Sequence, residues 1–224
     1  MRILALTTAT PRFGAALVDG AVLVASVEHD EEMKHAERLF PAVERVLAEA
    51  GWSRGQLDAI ACDIGPGSFT GVRVGLASAK GMALGLDVPL CPVGSLEAMA
   101  AAAFALGPAA VRRVACALDA RRGELFLAAY GPDLQAELAP EHLLCDTALS
   151  RLDALELAQL LLCGRVLRGQ VEGRRYLDDP SCELPSAAWI GQIASGRLAS
   201  PVPALDRIEP LYVRGPDAKV PPPR

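Results

Sequence analysis

The sequence predicts an α/β protein whose first half runs βββαβαβα, and three observations carry that reading. Short apolar runs bounded by turn residues recur at 3–8, 13–18, 21–27, 57–64 and 88–93, the length and composition of buried strands. Residues 35–50 place Ala36, Leu39, Phe40, Val43, Val46, Leu47 and Ala50 at helical spacing. Between the fourth and fifth runs, Gly65-Pro66-Gly67 ends a strand and opens a second helix, since this tripeptide does not continue a strand.

Taken in order, 3–8 is a buried first strand, and 13–18 with 21–27 flank Asp19-Gly20, a dipeptide suited to a two-residue hairpin turn. Three strands in a meander are expected. The helix over 35–50 is ended by Gly51, and Pro41 either kinks it or starts it. Strand 57–64 leads through the glycine turn into a helix capped by Ser68 or Thr70, then strand 88–93 and a helix over 95–105. After the break at Gly107-Pro108 the apolar runs 113–119 and 124–130 form a second hairpin around 120–123. Beyond it the pattern predicts helices over 156–163 and 187–198 and a frayed proline-rich tail at 219–224. Two domains are expected, 1–106 and 107–224.

Composition bounds the function. At 224 residues and 51% hydrophobic content the chain can bury a core and is not disordered. A net charge of −5 excludes a bulk polyanion binder, so nucleic acid binding by this chain alone is disfavoured. The six cysteines are scattered without a C-x-x-C pair and read as small buried hydrophobes of a reducing compartment. The most apolar late run, 98–111, is broken by Gly107-Pro108 and is too short to cross a bilayer. A soluble, cytoplasmic protein with no membrane segment is expected.

No motif demands an enzyme. The turn G-P-G-S-F-T-G at 65–71 sits where backbone N–H groups at a helix start could hold an anion. It matches no fingerprint: Thr70 takes the third glycine position of G-x-G-x-x-G, no lysine falls in P-loop register, and Gly67 directly precedes Ser68 where a nucleophile elbow needs a spacer. His29, His35 and His142 form no H-x-x-x-H pair, and Asp119 with Glu124 reads as the exposed acids of a hairpin turn. The second helix does carry an unusual face: Gly71, Gly75 and Ala79 recur every fourth residue. Glycine inside a helix costs roughly 0.5 to 1 kcal/mol relative to alanine, so close packing must offset it, either inside the domain or against a partner helix.

The segments ILALTTAT, HAERLFP, GPGSFTGVRVGLASAKGMALG, LDVPLCPVGSLEAM, ALDARRGELFLAAY and PLYVR together resemble the TsaB (YeaZ) family. The resemblance implies an actin-like, Hsp70-like ATPase architecture (ASKHA, ribonuclease H-like) of two related subdomains, the first with strands in the order 3-2-1-4-5. It implies a non-catalytic scaffold that binds and activates TsaD for threonylcarbamoyladenosine formation beside the anticodon of ANN-decoding tRNAs, with TsaE joining and tRNA reached only through the complex. Homodimers of the free protein are possible on that reading. Family pairing through the first two helices would use Leu39, Val43, Leu47, Gly71, Val72, Gly75 and Ala79. Ser95 and Met99 stand where TsaD relatives carry two metal-binding histidines, and Thr7 stands where the family usually has aspartate. A hydroxyl and a thioether do not replace two imidazoles, so neither metal nor cofactor is expected. The alternatives are an ASKHA-type phosphotransferase and a peptidase-like enzyme.

Overall fold

The computed structural model describes residues 1–30, 35–155, 159–169 and 173–214. Five strands, β1 (Arg2–Thr7), β2 (Arg12–Asp19), β3 (Val22–Asp30), β4 (Ala59–Asp63) and β5 (Leu90–Val93), form one sheet in the order β3-β2-β1-β4-β5. β1 pairs antiparallel with β2 and parallel with β4, and β4 is parallel to β5. The second sheet holds β6 (Arg113–Arg121), β7 (Glu124–Tyr130), β8 (Ala136–Leu144) and β9 (Leu160–Cys163) in the order β8-β7-β6-β9. Its meander followed by a parallel strand on the other side of β6 repeats the first four strands of the first sheet.

Among the described residues five α-helices cover the sheets: α1 (His35–Ala50), α2 (Phe69–Leu86), α3 (Ser95–Leu106), α4 (Cys145–Asp153) and α5 (Ala187–Arg197). The alternation of β1 sorts them. Leu4 and Leu6 point into a core with Leu39, Val43 and Leu47 of α1 and Leu76 and Ala79 of α2. Ile3 and Ala5 point the other way, into a core with Ala187, Ile190 and Ala194 of α5. On the second sheet, Leu96, Met99 and Ala103 of α3 pack on Val114, Cys116 and Phe126, while Ala148 and Leu152 of α4 fill the opposite face. The sheets separate in sequence between Val93 and Arg113, but helices do not: α3 packs on the second sheet, and α5, which follows β9, returns to the first.

Several expectations change in detail. The first hairpin turns at Gly20-Ala21, because Asp19 pairs with Val22 and Gly20 takes φ +59°. Pro41 lies inside α1. The helix expected over 156–163 is replaced at 160–163 by β9, with 156–158 outside the described residues. Leu160-Leu161-Leu162-Cys163 is buried on both sides, and a short continuous apolar run carries no period to tell strand from helix. β8 and α4 add to the expected elements; β8 is a sheet-edge strand with only partial burial, so its alternation is weak. The tail at 219–224 lies outside the described residues.

Candidate partner face and strand-end crevice

α2 opens at Ser68, whose Oγ accepts a hydrogen bond from the Gly71 amide at 3.2 Å. The glycine strip then lies directly on the chain that leaves β1. A Cβ on Gly71 would fall 2.1 Å from the Thr8 carbonyl oxygen, and one on Gly75 would fall 2.2 Å from Thr8 Oγ1. Thr8 Oγ1 itself donates to the Gly71 carbonyl at 2.7 Å. Gly67 is held as closely, its Cβ position being 2.1 Å from the Ala9 carbonyl oxygen. Absence of side chains therefore lets a helix and a strand end share one hydrogen-bonded seam.

The seven residues expected at a partner contact lie within the chain's own fold. Leu39, Val43, Leu47, Gly71, Val72, Gly75 and Ala79 are indeed brought together or set side by side on α1 and α2, but all are buried in the chain's own fold. The reason is helical period: a residue four apart from one that faces the sheet also faces the sheet. The opposite face of α2 is different. Arg73, Ala77, Gly81, Leu84 and Gly85 are exposed, Leu84 by 74%, and among the described residues nothing beyond the helix's own backbone lies within 4 Å of a Cβ placed on Gly81 or Gly85. On neighbouring α1, Phe40 is 49% exposed. α2 thus has two faces of small residues, one filled by its own chain and one open.

At the carboxyl ends of β1 and β4, where open α/β sheets bind ligands, the fold places Asp63. It is fully buried. Its Oδ1 accepts from Ser95 Oγ at 2.6 Å and from the Gly65 amide at 2.9 Å, and its Oδ2 accepts from Thr7 Oγ1 at 2.9 Å. Met99, the other position matched to a metal ligand, is buried in the apolar core between α3 and the second sheet. Asp63 escapes a reading of the sequence because a lone aspartate at a strand end has no spacing signature; the hydroxyls that meet it come from residues 56 and 32 positions away.

Burial pushes the Asp63 carboxyl up to about 6, against the downward pull of its bonds from Ser95, Gly65 and Thr7. An unfolded aspartate titrates near about 3.9, so between about pH 4 and 6 the folded chain holds a proton that the unfolded chain has released. Stabilisation from that proton is complete below about pH 4 and is lost as pH rises through about 6. The stability of the wild type relative to Asp63→Asn, measured by urea unfolding across this range, is expected to fall by about 3 kcal/mol as pH rises. A pH-independent difference would show that the carboxyl titrates as it does in water.

The remaining candidate groups are engaged elsewhere. His142 Nε2 lies 3.0 Å from Glu124 Oε2, and the His29 ring sits 5.4 Å from that of Phe13. The His35 side chain lies outside the described residues. Asp119 Oδ1 accepts from the Arg121 amide at 2.7 Å, closing the hairpin turn. The six cysteines form no disulfide and five of them are buried, with Cys116 and Cys163 Sγ 3.3 Å apart across adjacent strands. Among the described residues no three His, Cys, Asp or Glu side chains gather as a metal site, and no helix is long and apolar enough to cross a membrane.

Two mixed sheets of repeated topology with helices on both faces define a two-sheet α/β protein. The family model for TsaD, tRNA N6-adenosine threonylcarbamoyltransferase, matches residues 27–149. The Escherichia coli tRNA threonylcarbamoyladenosine biosynthesis protein TsaB is 39% identical over 150 residues, 63% of this chain and 64% of its own. The Haemophilus influenzae TsaB is 40% identical over 126 residues, 56% of this chain and 52% of its own. The match thus spans less than two thirds of the length of either relative. YeaZ from Pseudomonas aeruginosa superposes with a TM-score of 0.76 at 27% identity, covering 94% of this chain and 99% of that one. The chain belongs to the TsaB/YeaZ family of tRNA threonylcarbamoyladenosine biosynthesis proteins.

Proposed function

We infer that this chain is the non-catalytic partner of a TsaD-type protein, docking it on the outward face of α1 and α2 and so enabling threonylcarbamoyl transfer to the adenosine beside the anticodon of ANN-decoding tRNAs. The observation that carries the reading is the closed crevice. Thr7 and Ser95 both donate their hydroxyls to Asp63, so the side chains at the strand ends satisfy one another in place of a ligand. A phosphotransferase of this fold would need an anionic oxygen at the end of β1 to hold magnesium, and Thr7 offers a neutral hydroxyl already in use. A peptidase would need a base beside its nucleophile, and the described histidines are held against Glu124 and Phe13. Support for the docking face comes from the uncovered small and apolar strip of α2. In the cytoplasm the chain reaches tRNA and TsaE only through the complex, and the same face pairs two copies when TsaD is absent.

Reconstitution tests this. With a TsaD-family protein, the adenylate-forming synthase, TsaE, ATP and tRNA present, adding the chain is expected to switch on modification, and the chain alone is expected to leave tRNA unchanged. Equal modification without the chain, or modification by the chain alone, would overturn the reading.

A further inference from the structure

The sequence motif PLYVR finds no role in the crevice, and the structure gives it one. Residues 208–214 run as a strap between the two sheets. Ile208 is buried in the core beneath α1 and α2, and the Leu211 amide donates to the Ile64 carbonyl at 2.8 Å. Val213 packs against the core under α3, and Arg214 Nη1 donates to the Ala120 carbonyl at 3.0 Å. Held from both sides, Tyr212 is nonetheless 50% exposed, and it stands over the start of α2.

There it meets Phe69 and Arg73. The Phe69 ring, 56% exposed, lies 5.5 Å from that of Tyr212. The Arg73 guanidinium sits 3.7 Å over the Phe69 centroid and 5.7 Å from that of Tyr212, and its Nε donates to Tyr212 Oη at 2.7 Å. One side of the fork is thereby fixed by a hydroxyl and an aromatic face, which removes most of the rotamer freedom that makes a surface arginine a weak binder. The outer nitrogens, Nη1 and Nη2, meet no acceptor among the described residues, and no described carboxylate pairs with Arg73, in contrast to Arg12, Arg45, Arg113, Arg165 and Arg197. An oriented, exposed and uncompensated guanidinium is complementary to a carboxylate or a phosphate.

We propose that Arg73, oriented by Phe69 and Tyr212, binds an acidic side chain of the protein that docks on α2 and sets the register of that docking. The inference rests on the partner reading above. The rest of the stripe favours a protein carboxylate over an RNA phosphate: exposed Ala77, Gly81, Leu84 and Gly85 are uncharged and half-buried Lys80 is the one other cation of α2, whereas a phosphate track needs successive cations. Arginine and tyrosine beside small apolar residues also match the composition of energetic centres in protein interfaces.

The test is calorimetric titration of the full chain and its variants with the purified TsaD-family partner at low and high salt, with a melting curve for each. Arg73→Ala is expected to weaken binding about 30-fold or more and to flatten the salt dependence, with an unchanged melting temperature. Arg73→Lys, which keeps the charge without the fork, is expected to fall between, and Tyr212→Phe, which removes only the orienting hydroxyl, to lose several-fold. Wild-type affinity in Arg73→Ala would overturn the inference while leaving the partner reading intact. Retained partner affinity with a loss of tRNA affinity in the assembled complex would also overturn it, by giving the guanidinium to phosphate. Failure of the wild type to bind the partner would overturn both.

Discussion

Gly75→Leu is expected to lower the melting temperature by roughly 6–12 °C while leaving partner binding intact at temperatures where the variant remains folded. The Cβ alone would fall 2.2 Å from Thr8 Oγ1, and the isobutyl group has no exit on the buried face of α2. Thr8 does not swing away freely, because its hydroxyl is bonded to the Gly71 carbonyl at 2.7 Å. Overpacking costs about 1–3 kcal/mol and a lost buried hydrogen bond adds about 1, for a total of about 3 kcal/mol. At about 2–4 °C per kcal/mol for a chain of this size, the shift is readily seen by circular dichroism. A melting curve that does not move, paired with lost binding, would return Gly75 to the partner interface.

Gly81→Leu on the same helix is expected to behave in the opposite way: melting unchanged or raised, and binding to a TsaD-family partner lost by about a hundredfold. Open space surrounds the Gly81 Cβ position, and replacing a helical glycine by a good helix former stabilises by up to about 1 kcal/mol. Helices pack about 8–10 Å apart according to the side chains between them, and a leucine inserted into the strip of Ala77, Gly81 and Gly85 forces the docked helix outward. Losing close contact across the centre of an interface costs about 2–3 kcal/mol, which is about a hundredfold in affinity. Binding at wild-type strength in Gly81→Leu would remove the outer face of α2 from the docking surface. Measured together, the two glycine variants separate the inner and outer faces of one helix.

Much of the fold is legible because each element carries its own signal. Strands β1 to β5 are short apolar runs with turn residues at their ends, and α1 has a clear period. The glycine turn and Ser68 mark the start of α2 within its own sequence. The illegible part depends on relations between distant residues. The spacing of Gly71, Gly75 and Ala79 shows that they share a face, but which neighbour that face meets is decided by where Thr8 leaves β1, and the outward strip of Ala77 and Gly81 has the same four-residue period. The Asp63 cluster and the Arg73 platform are likewise assembled by the fold: Tyr212 is 139 residues from Arg73 in sequence. β9 reads as helix because a fully buried run loses its periodicity, and β8 escapes notice because an edge strand has little to show.

The return of α5 to the first sheet has a consequence for synthesis. Ile3, Ala5, Ala16, Val18, Ala59 and Ala61 present a surface of mostly small side chains that Ala187, Ile190, Ile193 and Ala194 of α5 close over, together with Ala98 of α3. Gly191 lets that helix come near enough, its Cβ position lying 3.0 Å from Val18 and 3.2 Å from Ala5. A ribosome that has released all five strands of the first sheet has therefore released a sheet with one apolar face bare, and nearly a hundred further residues must emerge before it is covered. The first sheet is consequently completed only after α5 has emerged, so the interval of translation between β5 and α5 is when its bare face most needs shielding from aggregation.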